Sequence, residues 1–67
     1  MGLIWVCIYS SQFMHKVEII QALLEEENIN SVIYNKQDSS YHIGEIELHV
    51  HPDDVLKAKQ IVTDNES

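Results

Sequence analysis

No arginine occurs in this sequence, and its four lysines stand against eleven acidic residues, giving a formal charge of -7. A surface of that sign repels phosphate backbones, and Lys16, Lys36, Lys57 and Lys59 make no basic cluster, so no nucleic-acid partner is expected. The single cysteine, Cys7, can close no internal disulfide and has no Cys-x-x-Cys neighbour to hold zinc. A lone thiol fits a reducing interior, and the chain reads as cytoplasmic. Only two glycines are present, Gly2 and Gly44, too few for a loop that cradles phosphate. The longest apolar run, Leu3 to Tyr9, falls far short of the roughly 20 residues a bilayer-crossing helix needs. It also lacks the basic lead-in and small-residue cleavage site of a secretory signal. Met1-Gly2 has Val6 where a myristoylation start requires Ser or Thr. No membrane association is expected.

What remains reads as one domain, residues 1–67. A chain of this size buries only about 60% of its unfolded surface. With neither disulfide nor evident metal to supplement that, self-association is the natural addition. Leu3 to Tyr9 is apolar on both alternations, which points to a strand covered on both faces. Ser10 and Ser11 offer N-cap oxygens for a helix over Gln12 to Glu27, with Phe13, Val17, Ile20 and Leu24 as its buried stripe. Asn28 is placed to stop that helix in a left-handed conformation, and Ile29 returns to the apolar side. Ser31 to Asn35 forms a short strand. Glu45 to His51 alternates strictly, with Ile46, Leu48 and Val50 inward and Glu45, Glu47, His49 and His51 outward. Pro52, Asp53 and Asp54 open a second helix whose inner stripe is Val55, Ala58 and Val62, and Thr63 to Ser67 reads as a fraying tail.

The order β-α-β-β-α predicts an α+β, ferredoxin-like two-layer sandwich: a three-stranded sheet in the order 1-3-2, with both helices on one face. Two helices leave the other face open. If Ile4, Val6 and Ile8 turn toward the helices, Trp5, Cys7 and Tyr9 lie on that open face. An aromatic pair there, and an unpaired edge on the first strand, predict a homodimer.

The longest polar segment runs from Asn35 through Lys36, Gln37, Asp38, Ser39, Ser40, Tyr41 and His42 to Ile43 and Gly44. Loops held on a rigid scaffold often carry function. Asp38, Ser39, Ser40 and His42 are the residue types of a hydrolase triad, but triad members converge from separate elements and need an oxyanion hole. Their better reading is a loop whose side chains hydrogen-bond their own backbone, and no enzyme is expected. Gly44 permits a positive φ at the entry to the third strand. Cys7 reads as an inert core thiol. His49 and His51 share a strand face with Glu47 at a spacing that can chelate a metal. With no clear third and fourth ligand this stays a weak alternative beside a titrating imidazole face, and no cofactor is expected.

Nearly the whole chain resembles a family of small bacterial domains of unknown function, described as prokaryotic signal-transducing proteins and likened to the PII (GlnB) signalling proteins. The resemblance rests on Trp5-Val6-Cys7-Ile8-Tyr9, Glu18 through Glu25 with Asn28-Ile29, Asn35-Lys36-Gln37-Asp38-Ser39-Ser40-Tyr41, Gly44-Glu45-Ile46-Glu47-Leu48 and Asp53-Asp54-Val55-Leu56-Lys57-Ala58. It implies a ferredoxin-like domain with a regulatory or binding role. It carries no catalytic residues. Together these readings predict a regulatory adapter that binds a protein partner through loop 35–43, using Asn35, Lys36, Gln37, Asp38, Ser39, Ser40 and Tyr41, joined by Trp5 and Tyr9. The alternative is a small-molecule sensor with its ligand site at a homodimer interface.

Overall fold

The computed structural model describes residues 4–36 and 44–66. The elements are β1 (Val6–Ser11), α1 (Met14–Glu26), β2 (Ser31–Asn35), β3 (Ile46–Val50), a 3₁₀ turn over Pro52–Asp54, and α2 (Val55–Glu66). The sheet has the order β1-β3-β2, with β3 antiparallel to both neighbours. The expected α+β, ferredoxin-like sandwich is therefore the fold.

Period-two alternation along β3 builds the core. Ile46, Leu48 and Val50 are buried on the helix side, where they meet Val17, Ile20 and Leu24 of α1, Ile29, and Ala58 of α2. Burying an aliphatic side chain of this size contributes about 1.5–3 kcal/mol, so these residues dominate the stability of the two layers.

Helix α1 ends as its sequence predicts. Asn28 has φ 61°, its N–H donates to the Glu25 carbonyl at 3.0 Å, and the Ile29 N–H donates to the Leu24 carbonyl at 2.9 Å. This paired arrangement is a Schellman motif, and the Ile29–Leu24 contact seals it on the core side. Gly44 likewise adopts a positive φ of 110°.

Four expectations need correcting. Helix α1 starts at Met14, with Phe13 at its N-cap and no side chain capping it; Ser11 Oγ instead accepts from the Phe13 N–H at 3.1 Å. Phe13 is consequently exposed, outside the buried stripe, and its ring lies 5.3 Å from the Lys16 ammonium. Helix α2 continues in order through Glu66 rather than fraying from Thr63.

The fourth correction concerns β1, which has one face covered and not two. It pairs Val6 with Val50 and Cys7 with His49, then skips Ile8 and pairs Tyr9 with Leu48. This β-bulge shifts the strand's phase by one residue. Ahead of the bulge Val6 faces the helices and Cys7 the open side; beyond it Tyr9 faces the helices, beside Ile8. Tyr9 therefore does not share the open face with Cys7, and Ile4 is exposed rather than packed on the core.

Candidate functional site

The face of the sheet that no described element covers (the uncovered face) carries a polar constellation. Strand β3 supplies Glu47 and His49, two residues apart and therefore on the same side. Across the ladder Cys7 of β1 and Val32 of β2 flank His49, while Ser10 and Tyr34 flank Glu47.

The contacts follow from that register. His49 Nε2 lies 2.9 Å from Glu47 Oε1. A carboxylate only accepts, so the shared proton is carried on Nε2. The other ring nitrogen, Nδ1, is buried and has no hydrogen-bond partner among the described residues. Tyr34 meets the imidazole edge-on, with ring centroids 4.6 Å apart. The Lys36 ammonium reaches the same Glu47 oxygen at 3.3 Å. The His49 hydrogen bond, with help from Lys36, holds the Glu47 carboxyl below its usual value, against a desolvation effect that raises it. Cys7 is exposed, and its thiol donates to the Tyr9 carbonyl across the bulge at 3.5 Å. One donor atom from each of Cys7, Glu47 and His49 falls within 4.8 Å of the other two.

The expected site residues separate accordingly. Lys36 and Asn35 sit at the end of β2, where Lys36 turns toward Glu47. Trp5 stays near the open side, its ring 6.4 Å from that of His51 in an edge-on contact. Tyr9 has moved to the helix side, where it lines a groove of about 370 Å³ with His15, Lys16, Ile19, Asn65 and Glu66. Gln37, Asp38, Ser39, Ser40 and Tyr41 lie outside the described residues, as does His42.

His51 has another task. Its Nδ1 accepts from the Asp53 N–H at 3.1 Å and so caps the turn that leads into α2. The structure thus breaks the His49–His51–Glu47 trio and substitutes Cys7 for His51. Cys7, expected on the open face but as an inert core thiol, is exposed. Its register opposite His49 depends on pairing between two distant strands, for which nothing local gives a signal.

The profile of one protein family, described as "Putative prokaryotic signal transducing protein", matches residues 5–66. The chain belongs to this family. Membership extends over every element from β1 to α2 and includes the whole uncovered face. No curated protein and no solved structure matches the chain. Among the described residues no helix is long and apolar enough to cross a membrane.

Proposed function

We propose that this member of the signal-transducing family is non-enzymatic and works by docking a protein on the uncovered sheet face, with residues 35–43 as a further contact. The observation that carries this reading is the composition of the face. An aromatic ring, Tyr34, 44% exposed, stands over an imidazole that is only 17% exposed in its side chain, with Trp5, Cys7 and Val32 alongside. Tyrosine and tryptophan are the side chains most enriched where proteins bind one another, because they offer large rigid area with a polar tip. The family description agrees with a role in signalling.

A second copy of the chain is the simplest occupant. Both β1 and β2 are edge strands of the sheet, and a small domain with an open sheet gains stability by covering it. A photocrosslinking amino acid placed at Tyr34 tests the reading against one placed at Leu56, which is 85% exposed on α2. Protein crosslinks formed in cells from position 34 and not from position 56 support it, and a product of twice the chain's mass identifies the homodimer. Crosslinks from position 56 alone, or from neither position, overturn it.

A further inference from the structure

We propose that Cys7, Glu47 and His49 form a binding site for a single divalent cation of the zinc class on the uncovered face of the sheet. The donor set selects the ion. A thiol, an imidazole and a carboxylate are the three side-chain types that zinc accepts, whereas magnesium and calcium favour oxygen alone.

The scaffold places these donors before any ion arrives. Glu47 and His49 project from one face of the central strand, and Cys7 stands opposite His49 on the neighbouring strand, just ahead of the bulge. Bulges commonly re-aim a side chain in this way. The spacing suits the ion too. Tetrahedral zinc with bonds of about 2.0–2.3 Å sets its donors about 3.3–3.7 Å apart. Here all three donor atoms lie within 4.8 Å of one another, and the His49–Glu47 pair sits at 2.9 Å with a proton between them. Opening that pair slightly and drawing in the thiol takes side-chain rotation. Binding releases the Cys7 proton to solvent and leaves the imidazole proton on Nδ1, so that Nε2 is free for the ion. Tyr34 already steadies the imidazole.

Three protein donors leave a fourth position open to solvent, as in zinc sites that exchange a ligand. Lys36 opposes the ion. Its ammonium holds the Glu47 oxygen that the metal needs, so binding displaces it.

The site does not depend on a docked protein, and it is tested on the isolated, reduced, chelator-treated chain. Cobalt(II) serves as the visible probe. One equivalent is expected to produce a thiolate-to-cobalt charge-transfer band that zinc then abolishes by displacement. Cys7→Ser, at an exposed position, removes the band while the far-ultraviolet circular dichroism stays that of the wild type. His49→Gln weakens zinc binding at least about tenfold. His51→Gln leaves it unchanged, and Lys36→Ala strengthens it a few-fold by removing the competing charge. A titration with no saturable band, or one equally strong in Cys7→Ser, overturns the proposal. Because no partner is present in this titration, its failure is separate from a failure of the docking experiment.

Discussion

Tyr9 and Glu66 line the same groove, which brings the phenol beside the last turn of α2. Burial of the phenol, then the negative charge and hydrogen bond of Glu66, push its pKa above the usual 10.0, with Ser11 opposing. The folded state therefore favours the neutral phenol. That contribution is complete below pH 10.0 and disappears as pH rises through the folded value. The denaturant midpoint of the wild type should accordingly fall above pH 10.0 more steeply than that of Tyr9→Phe. Parallel curves for the two proteins would show that Tyr9 is not coupled to folding. Tyr9 also marks a limit of sequence reading. Ile4 through Tyr9 is apolar at every position, so either phase of the strand satisfies the pattern, and nothing in it records the skipped Ile8. Where polar and apolar residues alternate, as in Glu45 to His51, a change of phase would have been visible.

Among the elements, those governed by neighbours in sequence were legible and those governed by pairing were not. The boundaries of β2, the inward trio of β3, and the positive φ angles of Asn28 and Gly44 all follow from local pattern or backbone sterics. The capping of the α2 entry by His51 is also local, but went unread because histidine is not among the usual capping residues. The bulge in β1 required the assembled sheet. So did the approach of Cys7 to His49: two members of the candidate site could be read from β3 alone, and the third could not. The end of α1 offers a clean test of the local rule. Valine at position 28 puts a β-branched side chain into the left-handed region, and Asn28→Val should lose about 1–2 kcal/mol. Asn28→Gly, free of that clash, should stay within about 1 kcal/mol of the wild type. Urea unfolding of the pair measures both. Equal losses would mean that the Asn28 side chain, and not its backbone angle, holds the corner.

On the scale of the whole molecule, the Cα envelope of 36 × 35 × 15 Å is a slab one helix layer and one sheet thick. Its helix side holds the buried core, and no described element covers the other side of the sheet. The strand order has a further consequence, for the way the protein is made. β1 and β2 are parallel to each other and are not neighbours; every ladder hydrogen bond between strands involves β3. A ribosome delivers β1, α1 and β2 first, and none of them has a strand to pair with until Ile46–Val50 has cleared the exit tunnel. Chains halted after residue 45 should accordingly show no cooperative unfolding, and a cooperative transition in such a chain would disprove this dependence on β3. The edges of this sheet are synthesised early and wait for their centre.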